Sequence, residues 1–247
     1  MMTIDYDQIA DFYDIYADTA YDVELFKEQI TGKRKVIELT SGTGRLSIPL
    51  IEAGANLTCV DQSAKMLEKL TKKLQQRELH ADVVCMNLLD ICYDSVFDLA
   101  ILPFQSFMEI VGQENQLEVL LRTYRSLIRG GTFICTMHNP AVRKRSVDGV
   151  LRYVGHFRTE SGVLAVSGVE TGGNPVVERF QYFEMYDGAG VMQSKSLLRM
   201  EFEFIGKDQF RKMAESVGFK VLELWGSYDK GSFVEENSPV LIWKLEK

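Results

Sequence analysis

Two features of this chain combine residue types and spacing that could do chemistry. The first is Val36-Ile37-Glu38-Leu39-Thr40-Ser41-Gly42-Thr43-Gly44-Arg45, an apolar run that breaks into small, glycine-bearing residues before a helical pattern begins. Glycines there let the backbone approach a ligand closely, and a helix N-terminus offers unpaired N–H groups. The second is Asp61, nineteen positions after Gly42, at the end of the next apolar run. An acid about 20 residues downstream of such a turn can accept hydrogen bonds from both hydroxyls of a ribose. Three more unusual tips follow apolar runs: Asn87 to Asp90, Pro103 to Phe107, and His138-Asn139-Pro140.

Such tips can form one site only if the runs are neighbouring strands pointing the same way. Strands are expected at Lys35–Leu39, Asn56–Asp61, Asp82–Met86, Phe97–Leu102 and Thr132–Met137. Helices are expected between them: Leu46–Ala53, a helix capped by Ser63 with a Met66/Leu67/Leu70/Leu74 stripe, and Gln116–Ile128 closing on Gly130-Gly131. A helix at Lys207–Val217 precedes two final strands, Phe219–Trp225 and Pro239–Leu245. The alternation predicts an α/β fold, a doubly wound, seven-stranded, mostly parallel Rossmann-like sheet. After the fifth strand the rhythm changes. Val163–Val166, Val176–Tyr186 and Val191–Phe204 read as an antiparallel β insertion, separated by Gly172-Gly173-Asn174-Pro175 and Asp187-Gly188-Ala189-Gly190. The expected organisation is therefore a lid of acidic helices at 1–30, a core at 31–140 and 205–247, and an insertion at 141–204 covering the ligand end.

Composition narrows the partners. The net charge of −7 resides at the N-terminus, where eight acids face one Lys27 before Ile30. The rest of the chain is balanced and presents no basic face for nucleic acid, whose phosphates need Lys and Arg. No apolar run reaches the roughly 18 residues needed to span a bilayer, and the acidic start lacks a signal-peptide core. A cytoplasmic protein with a small-molecule partner is expected, and the acidic lid mildly favours a cationic one. Cys59, Cys85, Cys92 and Cys135 lack metal-ligand spacing and read as buried free thiols.

A dinucleotide enzyme would share the turn and the acid. Its fingerprint needs G-x-G-x-x-G, whereas Gly42-Thr43-Gly44-Arg45-Leu46-Ser47 carries serine at the third position. Glu38, just before the turn, is poorly placed beside a pyrophosphate and suits a cationic amine or sulfonium. Here the residues carry a resemblance. Glu38 to Arg45 resembles the first motif of class I S-adenosylmethionine-dependent methyltransferases, and Cys59 to Leu67 their second. Phe97 to Ile101 is similar to their fourth strand, and Tyr6 to Asp14 to the N-terminal helix of the small-molecule branch.

The resemblance implies S-adenosyl-L-methionine as cofactor. It implies that Thr40, Gly42 and Gly44 hold the methionine part, with Glu38 near its amine, and that Asp61 takes the ribose hydroxyls. Gln62 and Met66 would flank the adenine, with Asn87 and Leu88 beside it, and Pro103, Phe104 and Gln105 would line the transfer mouth. Thr40 replaces the usual first glycine, so its backbone must avoid a positive φ or bear strain. His138 is the candidate base, and Tyr13 could touch cofactor or reacting atoms. Tyr16, Gln105 and Tyr153 could orient the acceptor, and Arg152, Arg158, Arg179 or Arg199 could clamp an anionic tail. The expectation is methyl transfer to N or O of a small molecule, mainly by alignment. An NAD-linked oxidoreductase and a non-catalytic cofactor sensor are the alternatives.

Overall fold

Parallel strands buried on both faces need near-continuous apolar runs, and the runs in this chain become strands almost where expected. The structure is a computed structural model that describes residues 4–33, 35–172 and 175–247. After a 3₁₀ turn at Tyr6–Gln8 come α1 (Ala10–Tyr16), α2 (Val23–Ile30), β1 (Val36–Leu39), α3 (Ser47–Glu52), β2 (Leu57–Asp61) and α4 (Ala64–Gln76). Then follow β3 (Asp82–Cys85), β4 (Phe97–Leu102), α5 (Gln113–Ser126), β5 (Leu127–His138) and α6 (Pro140–Arg143). The chain continues through β6 (Arg152–Thr159), β7 (Gly162–Gly172), β8 (Val176–Tyr186) and β9 (Met192–Glu203), and ends with α7 (Lys207–Ser216), β10 (Lys220–Trp225) and β11 (Val240–Glu246).

The first sheet has seven strands in the order β10-β11-β5-β4-β1-β2-β3. β1 to β5 run parallel, and β11 lies antiparallel between β5 and β10. Strand order reverses at β1, which pairs with both β2 and β4. The carboxyl ends of strands at such a switch point are where doubly wound sheets bind ligands. One face of the sheet packs Phe26, Leu50 and Leu70, and the other packs Phe107, Phe210 and Trp243. Each of these side chains is 0% exposed, and each stabilises the fold by about 1.5–3 kcal/mol relative to leaving it in water.

β6 to β9 form a separate antiparallel sheet in sequential order. Its inner face alternates along β8 as Val177, Arg179, Gln181 and Phe183, the period-two pattern of a half-covered strand. Phe12 and Tyr16 of α1 pack on Phe183, so the helix and the insertion share a small core with Met66. Four aspartates of the N-terminal segment fasten it to the first sheet. Asp7 accepts from Ser63 Oγ at 2.5 Å, Asp11 pairs with Lys69, and Asp14 lies 2.7 Å from Lys73 Nζ. The buried Asp22 takes both Arg45 guanidinium nitrogens at 2.6 Å.

Several expectations are corrected. The insertion has a strand, β6, that the sequence reading omitted, because its mostly exposed residues show no apolar alternation. α5 ends at Ser126, and Leu127 and Ile128 already belong to β5, with Gly130 at φ +75° inside that strand. All four cysteines are free, yet only Cys59 and Cys135 are buried; Cys85 and Cys92 are exposed. Asp11, Asp14 and Asp22 are paired with Lys69, Lys73 and Arg45, so part of the charge expected to attract a cation is taken up within the fold. Met1 to Thr3 of the expected lid, Arg34 of the expected core, and Gly173-Asn174 of the expected turn lie outside the described residues.

Candidate active site

The ends of β1, β2, β4 and β5, closed over by α1 and the second sheet, enclose a cavity of about 490 Å³. That volume lies within the usual range for a small-molecule site. The half expected to take the cofactor is built on β1 and β2. Gly42, at φ +54°, turns the chain above β1, and a Cβ there would meet nothing within 4 Å, so its backbone faces open cavity. Gly44, at φ +88°, serves packing instead, since a Cβ would fall 2.4 Å from Leu70 Cδ1 of α4. Asp61 Oδ2 accepts from Gly42 N at 2.8 Å and Oδ1 from Ser63 N at 2.9 Å. Burial raises its carboxyl pKa while these N–H groups oppose the rise, and the carboxylate is held at the cavity wall with lone pairs to spare.

Asn87 and Gln62 sit together on that wall, Asn87 Nδ2 donating to Gln62 Oε1 at 3.1 Å. Met66 and Leu88 add apolar surface. Thr40 does take a left-handed backbone, φ +65°, costly for a β-branched residue. Phe104 and Gln105 are also left-handed, at φ +56° and +63°. Among the described residues, three of the six non-glycine residues with positive φ therefore line this one cavity, the clustering expected where strain is held by a functional site. The Gln105 amide is tied back, Nε2 donating to Tyr228 Oη at 2.8 Å.

Tyr13 and Tyr16 reach the cavity from α1, edge to face with ring centroids 5.6 Å apart. Burial keeps both phenols protonated. His138 lines the cavity from the end of β5. Burial, reinforced by the Arg143 guanidinium, pushes its pKa down to about 4, so near neutral pH it is an uncharged and weak base. Six expected residues fall elsewhere. Glu38 is 1% exposed and accepts from Ser47 Oγ at 2.6 Å beneath the turn, outside the cavity lining. Burial raises its pKa to about 8, so it is mostly neutral at pH 7. Pro103 is buried behind Phe104 rather than in the wall. Tyr153 is 64% exposed on β6 and stacks on His156. Arg152 is paired with Asp148 and Arg199 with Glu178, both at the surface, and Arg158 is exposed.

The sequence reading missed Glu109. It closes a 3₁₀ turn, Ser106–Glu109, just after the β4 tip, and faces the cavity with Tyr6 Oη donating to its Oε1 at 2.8 Å. Burial pushes its pKa up to about 7, which the Tyr6 hydrogen bond opposes and the Asp61 charge assists. The only available signal was an acid in a cluster of unusual tip residues. Among the described residues no group of three His, Cys, Asp or Glu is placed to hold a metal ion, and no helix is long and apolar enough to cross a membrane.

Residues 36–131 match the family model of a methyltransferase domain. The chain is 25% identical to the cypemycin N-terminal methyltransferase of a Streptomyces species, over 85% of this chain and 82% of that protein. It is also 25% identical to the glycine/sarcosine N-methyltransferase of Halorhodospira halochloris, over 87% and 76% of the two chains. The fold superposes with a TM-score of 0.83 on an S-adenosylmethionine-dependent methyltransferase from Clostridium acetobutylicum, 18% identical, covering 98% of each chain. The open Gly42 backbone and the Asp61 carboxylate fit a ribose-bearing sulfonium cofactor. The third-glycine position, filled by Ser47 bonded to Glu38, does not fit a dinucleotide turn. By its motif order, its sheet and these matches, the chain is similar to the class I S-adenosylmethionine-dependent methyltransferases.

Proposed function

We propose that the chain methylates a nitrogen of a small-molecule acceptor held between Glu109, Tyr16 and the inner face of the second sheet. When bound, S-adenosylmethionine supplies a methyl group on a positively charged sulfur, which a nitrogen lone pair displaces with no redox change. Gly42 and the turn that starts at Thr40 would hold the methionine end, Asp61 the ribose, and Gln62, Met66, Asn87 and Leu88 the adenine. The observation that carries the preference for nitrogen is Glu109, a half-buried carboxyl in the cavity wall with Tyr6 as its donor. An amine arrives largely as ammonium and has no lone pair until it loses a proton. A carboxylate with a pKa of about 7 can take that proton near neutral pH, whereas His138, at about 4, is too weak a base to match it. One relative is named an N-terminal methyltransferase and the other a glycine/sarcosine N-methyltransferase, which supports the same preference.

Alignment supplies the rest of the acceleration. Tyr13 and Tyr16 are protonated, rigidly packed rings that can exclude water and steer the acceptor. The test is titration calorimetry with S-adenosylhomocysteine, together with a screen of small amines and alcohols using methyl-labelled cofactor. Asp61→Ala removes a charged acceptor and is expected to weaken S-adenosylhomocysteine at least about tenfold, in line with about 1.5–3 kcal/mol for a hydrogen bond to a charged group. Unchanged affinity would refute the ribose assignment. Transfer to alcohols alone would refute the nitrogen assignment.

A further inference from the structure

The second sheet brings charge into the cavity that methyl transfer itself does not use. Arg179 and Gln181 alternate on the inner face of β8 and both line the cavity. Among the described residues Arg179 makes one ion pair, a long one of 3.6 Å to Glu170 Oε1, its cross-strand neighbour on β7. That same oxygen is already taken by Arg143 of α6, which also lines the cavity. Two guanidiniums therefore share one carboxylate on this wall, and Arg179 is the one held at the longer distance. Beside it, Gln181 is 2% exposed and its Nε2 has no hydrogen-bond partner. Tyr16 lies near enough for the amide to favour its phenolate form slightly, without hydrogen-bond geometry. An unpaired buried amide donor costs about 1–3 kcal/mol, and one on a cavity wall is placed to meet an acceptor on a bound molecule.

Resting on the reading of the cavity as an N-methyltransferase site, we propose that Arg179 and Gln181 form a subsite for a carboxylate on the acceptor, making the acceptor an amino acid or a close relative. A guanidinium fork and an amide N–H together match the two oxygens of a carboxylate. One loosely held guanidinium suits a monoanion better than a phosphate dianion. Glu109 at the amine and Arg179 at the carboxylate give the cavity the two opposite charges of a zwitterion. Met200 and Phe202 of β9, also in the wall, leave apolar surface for a side chain or backbone of modest size.

The test uses the full chain loaded with S-adenosylhomocysteine for binding, and with methyl-labelled S-adenosylmethionine for turnover. The probes are matched amines: small α- and β-amino acids, their primary amides, the amines lacking the carboxylate, and phosphoethanolamine. The expected result is that at least one amino acid is preferred at least tenfold over its amide and its decarboxylated amine. Arg179→Met and Gln181→Leu should each reduce that preference at least tenfold and fivefold respectively, with Arg179→Lys intermediate and S-adenosylhomocysteine affinity within twofold of the parent. Amines bound or methylated regardless of a carboxylate would overturn the subsite and leave the nitrogen assignment standing. So would a preference for phosphoethanolamine, or an amino-acid preference that survives Arg179→Met. Binding of S-adenosylhomocysteine with no probe bound or methylated would overturn the amino-acid class. Failure to bind S-adenosylhomocysteine would instead overturn the cofactor reading.

Discussion

Replacing Glu109 by glutamine separates a proton-accepting carboxyl from a merely polar one. In the folded chain burial raises the Glu109 pKa from 4.5 to about 7. Between those values the native state holds a proton that the unfolded chain has released. Its contribution to stability is therefore fully present below pH 4.5 and is lost as pH rises through about 7. The shift of about 2.5 units corresponds to about 3 kcal/mol, at about 1.4 kcal/mol per unit. Glutamine keeps an acceptor for Tyr6 Oη and cannot ionise. The difference in unfolding free energy between Glu109→Gln and the parent, without cofactor, should therefore move in favour of the variant by about 3 kcal/mol from about pH 4.5 to about pH 8.5. Urea unfolding followed by fluorescence reports this, since Trp225 and Trp243 are both buried in the fold, and groups shared by the two proteins cancel. Turnover should move the opposite way. The parent's kcat/KM on an amine should rise through about pH 7, and the variant should lose that rise and at least about tenfold in rate above it, toward the low end of general-base effects. Parallel stability curves within about 1 kcal/mol, or an unchanged pH–rate profile, would refute the assignment of an ionising Glu109 in the cavity.

Three other perturbations probe the frame around the site. Glu38→Gln should behave in the same direction as Glu109→Gln, because burial raises Glu38 to about 8; its gain should appear between pH 4.5 and 8, and equal slopes for variant and parent in urea titrations at several pH values would contradict a neutral Glu38. Thr40→Gly relieves a left-handed backbone that costs an L-residue about 1–2 kcal/mol, offset by about 0.5–1 kcal/mol of glycine entropy. The net expectation is a gain of up to about 1 kcal/mol, or about 2–4 °C in thermal midpoint, and a clear loss would show that the Thr40 side chain is needed there. Asp22→Ala strands the Arg45 guanidinium, whose side chain is only 12% exposed, and should cost about 3–5 kcal/mol; denaturant midpoints within error of the parent would show that the pair does not secure the N-terminal segment.

The strand tips of the proposed cofactor half were legible because their signals are local. Parallel strands covered on both faces show as apolar runs, Ser63 advertises a helix start, and Asp61 follows its glycine turn at a fixed interval. Glu38 was misplaced for a reason of the same kind. Sequence shows that an acid ends the strand, but the strand's alternation decides whether its carboxyl meets the cavity or the helix behind it, and here Ser47 holds it behind. Glu109 looked like an ordinary turn acid because nothing local shows that Tyr6, more than one hundred positions earlier, closes over it. β8 hid Arg179 and Gln181 by being apolar on both faces, with Phe180 and Tyr182 outward and Phe183 inward, so no clean alternation marked its register. Tyr153 failed for the opposite reason, since β6 is an edge strand whose aromatic ring faces water.

The two halves of the cavity therefore place different demands on the chain. The cofactor half is made by strand tips that the sheet brings together whatever the acceptor is. Its strained residues, Thr40, Phe104 and Gln105, are tolerated because a large shared core holds them. The acceptor half is made where α1 and β8 meet through Phe12, Tyr16 and Phe183, and where one helix tip shares a carboxylate with β8. Arg179, Gln181 and Tyr16 belong to β8 and α1 rather than to the strand tips, so substitutions among them can redirect the acceptor without disturbing Gly42 or Asp61. Acceptor choice should accordingly respond to changes on the inner face of β8 while cofactor affinity does not, because the Asp61 clamp is anchored by backbone N–H groups of β1's turn and α4's cap and by nothing from the second sheet.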